Sequence, residues 1–207
     1  AHVNVHSFDD LINQITEKVP QFIKRASRPS TFGSNQPNEL MKFNAIVGNP
    51  PYQVMDGGNK SSSKPIYHLF MNVAKKMHPS YISLIMPAKW YNAGKGLDDF
   101  RNEMLSDKRL HKLVDFPDSN DCFDGVDIAG GICYILWNAQ HNGACSVEQV
   151  ARGKRTATLR QLDTHDTFVR DLEAVAIVDK VIAHETNARF MSEMVSARKP
   201  FGLATNV

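Results

Sequence analysis

The residues best suited to chemistry in this sequence are Asn49-Pro50-Pro51-Tyr52, which directly follow the apolar run at residues 43–48. Such a run predicts a buried strand, and α/β proteins place their sites at the carboxyl ends of strands. Two prolines fix φ and lack N–H donors, so the turn is stiff. The Asn49 amide oxygen and the Pro50 carbonyl can accept both N–H bonds of an amino group, while Tyr52 stacks on its ring. The pattern predicts a site for a planar amine, such as a base flipped out of a duplex.

This turn resembles the catalytic motif of amino-group DNA methyltransferases that methylate adenine at N6, the modification enzymes of restriction systems. A lone Asn-Pro-Pro-Tyr is only moderately specific, because protein-glutamine and some RNA methyltransferases carry it too. Several ordered segments are more specific. Later stretches resemble the family's following strands and the entrance to its target-recognition domain: residues 85–90, 114–116 with Cys122 and Phe123, 130–137, and 198–203.

The resemblance implies a Rossmann-like α/β methyltransferase fold with a mixed, mostly parallel sheet flanked by helices. It implies S-adenosylmethionine as cofactor and double-stranded DNA with a flipped adenine as substrate. The amine would attack the methyl group directly, without a covalent enzyme intermediate. A target-recognition domain or a nuclease module would be a further partner. Two alternatives stay open, namely a protein-glutamine or RNA methyltransferase and a non-catalytic α/β interaction module.

The resemblance also assigns roles to individual residues. Tyr134 would form the second wall of the base pocket with Tyr52, or Trp137 would do so if the register differs; a core position for Tyr134 is an equal alternative. Trp90 either lines the cofactor pocket or packs at its strand end. The expected catalytic residues are Asn49, Pro50, Pro51 and Tyr52; the expected cofactor contacts are Asn49, Pro87 and Trp90; the expected DNA contacts are Lys60, Lys64 and Lys89.

The sequence departs from the family in its cofactor-binding half. No acidic, glycine-rich turn after a strand is found, and only about forty residues precede the catalytic turn, whereas one βαβ unit takes ~30 residues. The glycine pair Gly130-Gly131 is typical of a turn that opens a strand. We therefore expect this chain to be the second half of a catalytic domain, inactive in isolation.

Hydrophobic periodicity predicts the elements that position the turn. We expect three regions: residues 1–38 as an amphipathic helix and linker, 39–190 as a partial catalytic domain, and 191–207 as the start of a linker to a target-recognition domain. Helices are predicted near residues 66–77, 97–106 and 172–182. Strands are predicted near residues 81–86, 110–116 and 131–137, with a hairpin of 144–150 and 156–162.

Composition limits the remaining function classes. A chain of 207 residues with 42% hydrophobic residues can bury one core, but a net charge of +2 gives no electrostatic argument for DNA. Three unpaired cysteines argue against a disulfide frame or a zinc site and favour a cytoplasmic protein. The aspartates at 115–127 lack a calcium-loop pattern and predict a solvated loop near the cleft. No apolar run approaches the ~18 residues of a membrane span.

Overall fold

The computed structural model describes residues 43–55, 63–92, 96–165 and 168–184. The chain divides into two compact units, Ala1–Phe168 and Val169–Val207. The predicted amino-terminal helix, its linker and the segment at 191–207 lie outside the described residues. The expected domain boundaries at residues 38 and 190 therefore stay predictions.

In the described part of the first unit, six strands form one mixed sheet in the order β1-β4-β6-β5-β7-β8. Strands β1, β4, β5 and β7 point in one direction, while β6 and β8 run opposite to them. The prediction of a mixed sheet with most strands parallel is confirmed. The strands are β1 (Ala45–Gly48), β4 (Tyr81–Pro87), β5 (Leu110–Phe116), β6 (Ile132–Asn138), β7 (Cys145–Ala151) and β8 (Lys154–Arg160).

The described helices fall within a few residues of their predicted positions. In the first unit they are α1 (Tyr67–Lys76) and α2 (Asp98–Ser106), with short 3-10 turns at Ala88–Asn92 and Ser119–Asp121. A small antiparallel pair, β2 (Gln53–Met55) with β3 (Ser63–Pro65), precedes α1 and was not predicted. Its strands are three residues each, too short for the alternation of side chains to be detected in sequence.

One face of the sheet forms the core. Alternate residues of β4 and β6 point to this face, because directly paired residues share a side of a sheet. They are all buried: Ile82, Leu84 and Met86 on β4, and Cys133, Ile135 and Trp137 on β6. Helix α1 packs on β4 and contributes buried Tyr67, Met71 and Ala74.

The opposite face is only partly covered in the described residues. Val47 is 77% exposed, Leu159 73% and Tyr81 46%. The expectation that residues 43–48 form a buried strand is wrong in this structure, because β1 is an edge strand with one described neighbour and three of its four residues are exposed. The apolar residues of β1 could be buried by another element, but the described residues leave most of them exposed.

The second unit contains helix α3 (Leu172–His184), which has no buried residue. Ile177, Val181 and Ile182 on this helix are exposed. None of the described helices has both the length and the apolar composition needed to cross a membrane.

Candidate amine-binding site

The Asn49–Tyr52 turn lies at the carboxyl end of β1, as predicted. Gly48 pairs with Leu84 of the parallel strand β4, so the turn is beside the last residues of β4. Pro50 is buried and anchors the turn, whereas Asn49 and Pro51 are exposed. The Ile66 N–H donates to the Tyr52 carbonyl over 3.1 Å, which ties the turn to the start of α1. The turn is therefore fixed at both ends while the Asn49 carboxamide faces solvent.

Tyr52 is a half-buried side chain whose surroundings keep it uncharged. Burial raises the pKa of its hydroxyl above the usual value; the nearby Asn49 side chain lowers it, and the thiols of Cys122 and Cys133 add to the increase. The hydroxyl is buried without a hydrogen bond of normal geometry to a described residue. A neutral ring next to an exposed carboxamide suits a stacking platform for a planar, uncharged base.

The loop at residues 117–131 forms the neighbouring part of the site. It leaves the carboxyl end of β5 and returns at the start of β6, so it lies at the same edge of the sheet as Asn49. The Cys122 thiol on this loop contributes to the raised pKa of the Tyr52 hydroxyl. Phe123, the next residue, is partly buried and packs on the cluster of Val114, Phe116, Ile132 and Val150.

Phe123 is the residue that sequence reasoning missed as a candidate wall. It entered the argument only as a landmark of the resemblance, although an aromatic residue in a loop between two strand ends was the available signal. Its position in this loop, at the same edge of the sheet as Tyr52, makes it a candidate for the second wall of a base pocket.

Tyr134 lies on β6 between Ile85 of β4 and Val114 of β5. Its ring centroid is 6.0 Å from that of Phe116, and the side chain is partly buried in the cluster under the loop. This position is at the site end of the sheet. The choice between a base-pocket wall and a core residue stays a prediction.

Trp137 does not lie near the turn. It pairs with Ile82 and Leu110, three residues further along β6 than Tyr134, toward the opposite end of the sheet. The side chain is 3% exposed, and its Nε1–H donates to Asp107 Oδ2 over 2.9 Å. The expectation that Trp137 stacks on a base is wrong, because the ring is buried at the other end.

Trp90 and Pro87 are core residues. Trp90 is 0% exposed, donates its Nε1–H to Cys133 Sγ over 3.4 Å, and meets Tyr91 and Phe100 edge to face. Pro87 is buried at the end of β4. Neither presents an open surface to a cofactor, which corrects that expectation. Trp90 instead ties the 3-10 turn after β4 to β6 through its bond to Cys133.

Two of the three predicted DNA contacts are described. Lys64 is exposed on β3, and Lys89 is exposed and lies over Gly130, where an added Cβ would be 3.4 Å from the lysine Cγ. Lys60 lies outside the described residues. The exposure of Lys64 and Lys89 suits a contact with phosphate, and that role stays a prediction.

The acidic stretch at 115–127 divides into two parts. Asp115 is 1% exposed on β5 and accepts an N–H from Gln149 over 3.2 Å, so it is not part of a solvated loop as expected. Asp118, Asp121, Asp124 and Asp127 are exposed as predicted. No group of three or more His, Cys, Asp or Glu side chains in the described ranges is placed to hold a metal.

The β7–β8 hairpin reaches the same edge. Its connection is Arg152-Gly153, with φ of 52° and 74°, and the Arg152 N–H donates to Asp121 Oδ2 over 3.0 Å. Two positive φ values are typical of the tight type I′ connection. Arg155 and Lys112 both pair with Glu148, so these cations are used within the sheet.

A mixed sheet with a proline-rich acceptor turn at a strand end is the arrangement that the resemblance to amino-group methyltransferases led us to expect. A model of the Eco57I restriction-modification methylase family matches residues 1–123. The match covers more than half of the 207 residues, and the chain belongs to this family.

Similar proteins extend beyond this chain. A protein of Mycoplasma pneumoniae described as an uncharacterized adenine-specific methylase is 36% identical over 133 residues, 63% of this chain and 32% of the relative. The chain thus spans about a third of that relative's length.

Solved structures show a weaker likeness. The type I restriction-modification methyltransferase subunit from Streptococcus thermophilus is 10% identical, with a TM-score of 0.40 over 75% of this chain and 35% of that one. A modification subunit of a putative type I restriction enzyme from Vibrio vulnificus is 12% identical, with a TM-score of 0.40 over 71% and 32%.

Proposed function

We propose that this chain carries the amine-binding half of an adenine-N6 DNA methyltransferase of a restriction-modification system. The observation that carries the proposal is the Asn49–Tyr52 turn, held at both ends with its carboxamide exposed. Family membership and the adenine-specific description of the Mycoplasma relative support the same substrate. The natural compartment of such an enzyme is the cytoplasm.

The turn's own groups account for the activation of the amine. The Asn49 Oδ1 and the Pro50 carbonyl accept the two N–H bonds of the adenine amino group, which directs the nitrogen lone pair away from the ring. Tyr52, a phenol that is uncharged at neutral pH, stacks on the base. An amine held by Asn49 and Pro50 would be suited to direct transfer of the donor's methyl group. The donor's S–CH3 bond would break as the N–C bond forms, the thioether would leave, and the nitrogen would lose one proton, without a covalent enzyme intermediate.

S-adenosylmethionine is the methyl donor that family membership implies. Of the three residues predicted to contact it, Pro87 and Trp90 are buried and only Asn49 has an exposed side chain. These three residues therefore do not by themselves form a pocket for this cofactor, and no step here depends on its position. We propose that the 207-residue chain alone does not transfer methyl groups.

Double-stranded DNA with a flipped adenine is the proposed partner. Lys64 and Lys89 are the described cations for its phosphates, with Lys60 as a third. A target-recognition domain or a nuclease module would supply the choice of sequence, since phosphate contacts position DNA without reading it.

The first prediction concerns Asn49→Ala in the full natural protein. Removing one of two acceptors aimed at the reacting amine should lower kcat by about 10²–10³-fold, by analogy with the loss of one oxyanion-hole donor. Radioactive methyl transfer from S-adenosylmethionine to unmethylated DNA measures this, and a filter assay should show DNA affinity within twofold of wild type.

Asn142→Ala is the matched control, because Asn142 is exposed at the opposite end of the sheet. It should transfer methyl groups at the wild-type rate. An Asn49→Ala rate within tenfold of wild type would contradict the role of Asn49. Transfer to RNA or to protein glutamine in place of DNA would reassign the substrate.

A further inference from the structure

The loop at residues 117–131 is organised around one buried hydroxyl. Ser119 is 2% exposed, and its Oγ donates to the Val126 carbonyl over 2.6 Å and accepts the Ile128 N–H over 2.8 Å. These two bonds close the loop on itself across seven and nine residues. A single side chain therefore links the outgoing and the returning parts of the loop.

The backbone of Ser119 holds the residues nearest to the turn. Its carbonyl accepts the Cys122 N–H over 3.1 Å and the Phe123 N–H over 2.8 Å. The Val126 N–H then donates to the Phe123 carbonyl over 3.2 Å. Ser119 is thus the common partner of the loop closure and of the segment that carries Cys122 and Phe123.

Apolar packing supports this loop at Cys122, Phe123 and Ile128, which pack on the buried cluster of β5, β6 and β7, but it does not support the tip. Asp124, Gly125, Val126 and Asp127 are exposed. The outer side is tied to the β7–β8 hairpin by the bond from the Arg152 N–H to Asp121 Oδ2. Since few buried contacts hold the tip, its position depends on these hydrogen bonds.

The held segment lies at the same edge of the sheet as the Asn49–Tyr52 turn, because the loop leaves the carboxyl end of β5 and returns at the start of β6. Cys122 influences the pKa of the Tyr52 hydroxyl, and Phe123 packs on the cluster that also contains Ile85 and Tyr134. Any displacement of Ser119 would shift both Cys122 and Phe123 relative to the stacking platform.

We propose that Ser119 is a positioning residue that fixes Cys122 and Phe123 as the wall opposite Tyr52. The proposal rests on the proposed function, because the wall matters only if a base enters there. Ser119 itself need not touch the base. Its hydroxyl holds the loop that carries the wall in one conformation, in the manner of supporting residues that lock a site's geometry.

The first readout is the rate at which Cys122 reacts with a thiol reagent in the folded protein, which needs no enzymatic activity. Cys122 is half-buried, whereas Cys133 and Cys145 are buried. Ser119→Ala should speed the labelling of Cys122 about tenfold. Ser106→Ala is the matched control, because the Ser106 hydroxyl bonds only carbonyls of its own helix, those of Asn102 and Glu103, and its labelling rate should equal wild type.

Two further variants keep the result interpretable. Ser119→Thr retains the hydroxyl and should label within threefold of wild type. Asp121→Ala removes the exposed acceptor of the Arg152 N–H and should speed labelling in the same direction but less. Because Asp121 is exposed, this variant tests the loop even if Ser119→Ala does not fold.

The second readout is methyl transfer by the full natural protein. Ser119→Ala should lower kcat at least tenfold while KM for S-adenosylmethionine stays within twofold, and Ser119→Thr should restore the rate. Labelling at the wild-type rate in both Ser119→Ala and Asp121→Ala overturns the proposal. So does faster labelling with unchanged kcat. A wild-type protein without transfer would instead refute the proposed function, while labelling still decides whether Ser119 holds the loop.

Discussion

The two ends of the six-stranded sheet use their polar groups in opposite ways. At the end remote from Asn49, Asp107 accepts from Lys75 over 2.9 Å, Arg109 over 2.7 Å and Trp137 over 2.9 Å, so its oxygens are saturated. At the site end, the Asn49 carboxamide is exposed and the Tyr52 hydroxyl lacks a well-formed bond to a described residue. Saturated groups hold a fold together, whereas groups left available can bind a substrate.

The end of the sheet remote from Asn49 also carries a polar groove of about 560 Å³. The groove includes Asp107, Lys108 and Arg109, so its size alone would suggest a binding site. Its charges are already paired within the chain, Lys108 with Asp163 and Arg109 with Asp107. Availability of groups, more than cavity volume, is therefore the criterion that favours the Asn49 end as the proposed site.

The largest expected effect on stability is at Asp107. Burial alone would raise the pKa of its carboxyl, but hydrogen bonds from Arg109, Lys75 and Trp137 outweigh burial and hold that pKa well below its usual range. Asp107→Asn keeps an acceptor for Trp137 but removes the charge. We expect it to lower the free energy of unfolding, measured with urea at pH 7, by about 3 kcal/mol. The rate of methyl transfer per folded molecule should not change.

The pH dependence fixes the sign of this effect. A carboxyl whose pKa is depressed on folding stabilises the protein fully above its unfolded value of about 4, and this contribution is lost as pH falls through the folded value. The difference between Asp107→Asn and wild type should therefore shrink below about pH 4. Asp163→Asn, in a pair exposed on both sides, should cost less than ~1 kcal/mol. An equal Asp107→Asn difference at pH 7 and pH 3 would contradict the assignment.

Trp90→Phe sharpens the boundary between core and site. The change removes the Nε1–H bond to Cys133 and part of a fully buried ring. The free energy of unfolding should therefore be about 1–2 kcal/mol lower than in wild type. If Trp90 only supports the site, KM for S-adenosylmethionine should stay within twofold. A tenfold rise in KM with little change in stability would return Trp90 to the cofactor pocket.

The smallest effect is expected at the hairpin tip. Arg152 has a φ of 52° in front of Gly153, and asparagine tolerates this conformation better than arginine does. Arg152→Asn should raise the free energy of unfolding by about 0.5 kcal/mol. The bond to Asp121 remains, because its donor is the backbone N–H of residue 152. Arg152→Val, a β-branched residue, is the opposite control and should destabilise.

The sequence predicted most strands and the place of the turn, because both depend on local signals. Periodicity located β4, β5 and β6 within about two residues. The residue types of Asn49-Pro50-Pro51-Tyr52 indicated a turn at a strand end, and the structure confirms that position. Chemistry that lies within four consecutive residues is visible before the fold is known.

What the sequence did not predict depends on contacts between distant elements. Trp137 and Tyr134 are three positions apart on one strand, and only the pairing register shows that they lie toward opposite ends. The depth of Trp90 is set by Phe100 and Cys133, which come from a helix and another strand. Ser119 is a short polar residue in a loop, and its burial follows from a loop closure that no periodicity reports.

The insertion of β6 between β4 and β5 also orders the assembly of the sheet during synthesis. Strands β4 and β5 do not pair with each other; each pairs with β6, whose last residue is Asn138. Until that residue has left the ribosome, both strands have an unpaired edge open to other chains. A nascent chain that pauses after Phe116 would therefore hold two separate strand groups, and chaperone binding should be strongest in the interval that ends with β6.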